Sequence, residues 1–225
     1  MINNSQIQTN NRSYSSAHRT SKDFAEEKET LFQIAREASR GHVLVDKFVR
    51  FVRPEEPIVT KVRVNELLDD LVAFLGKEFQ RLNIRVVRDY QTPSPDLRSD
   101  RGKLRQVFQN LLLNAIAALG KGGRLDLVTR AENDRVVVVV RDTGPGISKA
   151  ERAKIFEPLY STKPQGTGLG LPICKAIMDQ LGGSLTLDSQ PGQGASFTVV
   201  LPNHLGDLGG SRTGQQPVNQ SPNHD

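Results

Sequence analysis

Apolar residues recur every three or four positions in four long stretches of this chain and every second position in several shorter ones. The first helical stretch runs from about Lys22 to Val52, where Leu31, Ile34, Ala38, Val45, Phe48 and Val52 trace a heptad seam broken only at Gly41. A stripe of this kind needs a partner, either the main domain or a second copy, and pairing with a second copy through residues 22–53 is the favoured arrangement. Pro54 and Pro57 end the helix and give a stiff linker over residues 54–61. A main domain is expected over residues 62–202. Val64 to Leu82 is predicted helical, with Leu67, Leu68, Leu71, Phe74, Leu75 and Phe79 on one side. A longer amphipathic helix is predicted from Asp100 to Leu119, stopped by Gly120-Lys-Gly-Gly123. A short helix near Lys149 to Ile155 and another from Leu169 to Leu181 follow. Strands are predicted at Ile84 to Tyr90, Arg124 to Arg130, Arg135 to Arg141, Ser184 to Ser189 and Ala195 to Leu201. Helices combined with largely antiparallel strands predict an α+β fold, a two-layer α/β sandwich preceded by an N-terminal helix.

Composition adjusts this picture at the ends. Hydrophobic residues make up 36% of the 225 positions, and the Asn/Ser/Gln-rich residues 1–21 and the Gly/Asn/Pro-rich residues 203–225 account for much of the deficit. Neither end carries enough apolar surface to offset its ordering entropy, so both are expected to be disordered tails. The single cysteine, Cys174, lies in an apolar helical pattern and reads as a small core residue. With one cysteine, no apolar run of membrane-spanning length and no signal-like N-terminus, a cytoplasmic chain without a membrane segment is expected. The net charge of +5 is spread along the chain, densest at Arg98, Arg101, Lys103 and Arg105, with no tryptophan and no interleaved aromatics. That pattern favours a solvated basic face or a field attracting nucleotides over nucleic-acid binding.

Three segments carry candidate chemistry. On the helix predicted for residues 100–119, Leu104, Val107, Phe108, Leu111, Leu112, Ala115 and Leu119 form a buried stripe. Gln106, Asn110 and Asn114 recur at intervals of four and share a different face. An amide oxygen is a hard neutral ligand suited to Mg²⁺, although two surface amides also fit a plain solvated face. Asp142-Thr-Gly-Pro-Gly146 follows an apolar strand. A carboxylate there can accept a hydrogen bond from an exocyclic amine such as that of adenine, while Gly144 and Gly146 allow close approach of a flat ring; an ordinary strand-to-loop turn uses the same residues. Gly166-Thr-Gly-Leu-Gly170 opens a helix, where backbone N–H groups and the helix dipole favour anions. It is neither a Walker A loop nor a Rossmann fingerprint, since no Gly-Lys-Ser/Thr follows and no strand precedes it. The polar stretch from Ser161 to Gly168 has the makeup of a closing lid or of a plain mobile loop.

The order of Asn110-Leu-Leu-Leu-Asn114, Asp142-Thr-Gly-Pro-Gly146, Ile155-Phe-Glu-Pro158 and Gly166-Thr-Gly-Leu-Gly170 resembles the ATP-binding catalytic domain of bacterial sensor histidine kinases. These segments match that family's N, G1, F and G2 boxes within the GHKL superfamily and its Bergerat-type fold. The resemblance covers about residues 62–202. It implies that Asn114 ligates Mg²⁺, Asn110 lies beside the triphosphate, Asp142 bonds the adenine amine, and Gly144 and Gly146 pack at the base. It also implies that Gly166, Thr167, Gly168, Leu169 and Gly170 form the phosphate loop and that Phe156 anchors the root of the lid. Lys163, a basic lid residue, is a further candidate for the γ-phosphate. The implied cofactors are ATP and Mg²⁺. The implied partners are a histidine-bearing dimerisation domain and a response regulator receiver domain, and no nucleic acid.

The chain departs from the family pattern at two points. An acceptor histidine followed by Glu or Asp is absent: His18 precedes Arg19, His42 precedes Val43, and His204 and His224 lie in the C-terminal tail. The position three past Asn114, basic in some family members, is Ala117, which leaves Lys121, Lys163 or no residue at all to take its place. The expectation is a histidine kinase catalytic module whose acceptor lies on another chain or segment. A non-catalytic ATP-binding switch and an ATPase of the gyrase or mismatch-repair branch are the alternatives.

Overall fold

Residues 28–36, 41, 56–163 and 166–203 are described by the structure, a computed structural model of the chain. The expected N-terminal tail, the expected C-terminal tail beyond Asn203, all four histidines and most of the expected 22–53 helix lie outside these residues. The chain divides into two units, residues 1–46 and 47–225. In the first, residues 28–36 and 41 are helical, Leu31, Phe32 and Ile34 are exposed, and the Lys28 ammonium stands 5.8 Å from the centre of the Phe32 ring.

The second unit runs β1 (Thr60–Arg63), α1 (Val64–Phe74), α2 (Gly76–Arg81), β2 (Arg85–Tyr90), β3 (Asp96–Ser99), α3 (Arg101–Leu119), β4 (Arg124–Glu132), β5 (Arg135–Asp142), α4 (Lys149–Arg152), α5 (Gly170–Gln180), β6 (Ser184–Ser189) and β7 (Ala195–Pro202). Five strands form one sheet in the order β2-β4-β5-β7-β6, antiparallel except for the parallel pair β2 and β4. Alternation decides its inner face. Leu125, Leu127 and Thr129 of β4, Val136, Val138, Val140 and Asp142 of β5, and Ala195, Phe197, Val199 and Leu201 of β7 are all buried. The helical layer contributes Val64, Leu67, Leu68 and Leu71 from α1, Leu104, Val107, Phe108, Leu111 and Leu112 from α3, and Ile173, Cys174, Ile177 and Met178 from α5. This is the expected α+β sandwich.

Helix ends follow their side chains. The Asp100 carboxylate caps α3, accepting from Lys103 N at 2.9 Å and, with its other oxygen, from Ile58 N at 2.8 Å. Ser148 and Glu151 close a capping box on α4. Two expectations are corrected. The single helix predicted from Val64 to Leu82 is two, because Leu75 leaves the helical backbone (ψ 3°) before Gly76 restarts it. The break leaves Leu75 and Phe79 inside and Phe74 64% exposed, so Phe74 leaves the predicted stripe. The expected linker also ends early: Thr60 and Lys61 belong to β1, which pairs with β3 across Val62 and Leu97. Only one residue of β1 is buried, so it offers no alternating pattern to read.

Leu111 is fully buried and Leu113, two residues on, is 42% exposed. Leu111→Ala is expected to cost about 2–5 kcal/mol of unfolding free energy in urea titrations, and Leu113→Ala under about 1 kcal/mol.

Candidate functional site

Four-residue spacing places two rows of α3 on one side of the helix: Arg105, Gln109, Leu113 and Ala117, beside Gln106, Asn110, Asn114 and Ala118. All eight line a single cleft of about 890 Å³. The end of β5, the loop after it, Glu151 and Ile155, residues 160–163 and 166–168, the start of α5 from Gly170, and Ala195 and Phe197 of β7 supply the other walls. Asn110, Asn114, Asp142, Gly146, Lys163, Gly166, Thr167, Gly168 and Gly170, separated by as many as 60 positions, therefore share one hollow.

Asp142 reaches the cleft through strand alternation. It continues the inward series Val136, Val138, Val140, pairs with Leu125 on one side and Ala195 on the other, and is 4% exposed. Its Oδ1 accepts from Gly144 N at 2.8 Å. Burial pushes this carboxyl above the usual carboxylate range, against the opposing pull of the Gly144 and Ala195 peptide N–H groups and the Lys163 ammonium. The loop beyond it is held close by Gly146 at φ +73°, where an added Cβ would overlap the Gln190 carbonyl.

The loop entering α5 is fastened at its two ends. Leu159 N donates to Gly168 O at 3.1 Å, and both residues are left-handed, at φ 66° and φ +65°. A Cβ on Gly168 would collide with the Leu159 carbonyl carbon, so the clasp demands glycine there. Asn110 Nδ2 donates to Gly170 O at 3.4 Å and faces Cys174 Sγ at 3.7 Å, tying α3 to α5. Burial pushes the Cys174 thiol up to about 12, in keeping with a core cysteine. The Asn114 side chain is half-buried and makes no hydrogen bond among the described residues. Desolvation lowers the Lys163 ammonium, and the Asp142 carboxylate partly offsets this.

Three of the residues singled out from the sequence lie outside the lining. Gly144 stands behind Asp142 as a hydrogen-bond donor. Leu169 is fully buried and accepts from Ile173 N at 3.0 Å, starting α5. Phe156 is half-buried in the turns after α4. Lys121 does not line the cleft either, and Ala117 does. The residues missed include Arg105, Gln109 and Leu113, recoverable from their four-residue spacing to Ala117, and Ile147, Tyr160 and Phe197, whose placement depends on packing between distant segments. Among the described residues there is no group of three or more His, Cys, Asp or Glu able to hold a metal ion. A divalent ion here would depend on ligands from a bound molecule and on the amide oxygen of Asn114, a donor suited to Mg²⁺.

Because the Asp142 carboxyl is raised in the folded state, folding takes up its proton more readily than the unfolded chain does. Its ionisation therefore removes stability as pH rises from the ordinary carboxylate range through the folded value. Asp142→Asn is expected to raise the urea midpoint at pH 7, with the gain over the parent closing as pH falls below the ordinary carboxylate range.

The sequence matches the family described as histidine kinase-, DNA gyrase B-, and HSP90-like ATPase over residues 99–205. It is 35% identical over 187 residues to the sensor histidine kinase ZraS of Klebsiella oxytoca, covering 83% of this chain and 40% of that protein. The chain thus spans about two fifths of the length of this curated relative. The catalytic domain of histidine kinase ThkA superposes with a TM-score of 0.62 at 31% identity, over 66% of this chain and 97% of that one. ThkA in complex with the response regulator protein TrrA superposes with a TM-score of 0.68 at 26% identity, over 79% of this chain and 52% of that one. With its sandwich, its cleft and these relatives, the chain belongs to the histidine kinase-, DNA gyrase B- and HSP90-like ATPase family and carries a histidine kinase catalytic domain.

Proposed function

We propose that this chain is the ATP- and Mg²⁺-binding catalytic module of a two-component signalling kinase, passing the γ-phosphate of ATP to a histidine on another chain or segment. The observation that carries the reading is the convergence of Asn114, Asp142 and the Gly166–Gly170 loop on one cleft. Asp142 is a buried acceptor with one oxygen engaged by Gly144, which suits an exocyclic amine of a base. Asn110, Asn114 and the glycine loop lie where a triphosphate would run. Mg²⁺, when bound, neutralises charge on the phosphate oxygens. The chain's own share of catalysis is positioning: the α3 amides and the loop N–H groups fix the phosphates, and the apolar walls exclude water.

Partners follow from the same reading. The complex of ThkA with a response regulator supports a receiver domain as the downstream acceptor. The exposed Leu31 and Ile34 support pairing of residues 22–53 with a second copy or with a histidine-bearing helix. Among the described residues no helix is long and apolar enough to cross a membrane, and a cytoplasmic site for this module accords with ATP as its substrate.

Incubation with γ-labelled ATP and Mg²⁺, alone and with a histidine-bearing dimerisation domain, tests the activity. Acid-labile label on protein is expected. Free phosphate without protein label would assign a hydrolytic ATPase instead, and bound ATP with neither would assign a switch. In calorimetric titrations Asp142→Ala is expected to abolish ATP binding. Asn114→Ala should weaken it chiefly when Mg²⁺ is present. Unchanged titration curves for both variants would remove the site assignment.

A further inference from the structure

The cleft has two chemically different ends, and α3 serves as the ruler between them. Ala118 marks the Asp142 end, since a Cβ on Gly144 would stand 3.3 Å from the Ala118 Cβ. At about 1.5 Å per residue, Asn114 lies about 6 Å from Ala118 along the helix axis, Asn110 about 12 Å, and Gln106 and Arg105 about 18–20 Å. The basic residues lining the cleft are Arg105 and Lys163, and the acidic ones are Asp142 and Glu151. Glu151 is already engaged by Ser148 N at 2.9 Å. Ala117 leaves the last turn of α3, near the Asp142 end of the cleft, without a cation.

Arg105 differs from its basic neighbours. Arg101 pairs with Asp70 at 2.6 Å and Arg88 with Asp69 at 2.8 Å. Among the described residues Arg105 has no carboxylate partner. Its guanidinium stands 5.9 Å from the centre of the Phe74 ring instead. An aromatic face orients a guanidinium while leaving its N–H donors unspent. Gln106 and Gln109 add neutral amides beside it and no negative charge.

The geometry points to Arg105 as the residue that reads the terminal phosphate. With the base at Asp142, the phosphates run along Asn114 and Asn110 toward the first turns of α3. There a bidentate cation meets the γ-phosphate of ATP and finds nothing to bind on ADP. This assignment rests on the nucleotide reading above and adds a determinant of ATP over ADP.

Calorimetric titration of the full chain with ATP, ADP and AMP in Mg²⁺ tests it. Arg105→Ala and Arg105→Gln should each weaken ATP about tenfold while ADP and AMP stay within about twofold, and Arg105→Lys should fall between them and the parent. A general loss of folding would move all three nucleotides together, so the ATP-to-ADP affinity ratio isolates the role. Equal weakening of ATP and ADP, or an unchanged ratio, overturns the assignment. So does an unchanged ratio accompanied by slower phosphotransfer, which would place Arg105 against the acceptor domain. If the parent protein binds no nucleotide, the reading of the whole cleft falls. If it binds and Asp142→Ala abolishes binding while the Arg105 variants keep the parent ratio, only Arg105 is reassigned.

Discussion

A carboxylate closes a strand whose other inward positions are all valine, and the organisation of the cleft depends on that placement. Alternation along β5 leaves Asp142 no route to solvent without a shift of register, and such a shift would turn Val136, Val138 and Val140 outward as well. The sheet's hydrophobic pairing therefore fixes a charged group in a poorly solvated wall. Desolvation raises the carboxyl, and the peptide N–H groups of Gly144 and Ala195 restrain that rise. The protein carries this unfavourable ionisation in the site and compensates for it in the core around Leu111, Phe108 and Val199.

The helical wall obeys a different period with a similar result. α3 buries Leu104, Val107, Leu111 and Ala115 against the layer below, which turns Asn110 and Asn114 toward the cleft. Asn110 is then fixed by α5, so the helix that carries the amides and the helix that follows the glycine loop move as neighbours. Sheet alternation and helix periodicity each deliver one half of the site, and the contact between α3 and α5 brings the glycine loop to it.

Much of this could be read from the chain alone. The long helix and its glycine stop, the valine strand, the two C-terminal strands and the four boxed segments were all legible because each is a local pattern. What escaped was non-local or too short. β1 pairs with β3 across more than thirty positions and buries only Val62 on its own side. The break at Leu75 has no proline to announce it. Phe156 and Leu169 sit in matching segments yet lie outside the cleft lining, since a motif says which residues are near a site without saying which ones face it. Ile147 and Phe197 show the converse: neither lies in a motif, and both are carried to the wall by the fold.

The clasp between Leu159 and Gly168 fixes where the intervening segment departs and where it returns. Once two anchor points are set by backbone alone, the cost of lengthening the span between them rises only with the logarithm of its length. Evolution is thereby free to change the length of the span between those anchors, provided that the cleft-lining Lys163, Gly166 and Thr167 are kept, while α5 and its amide neighbours stay in register. Differences in length among descendants of this architecture should accumulate in that arch, with the two hinge posts left alone.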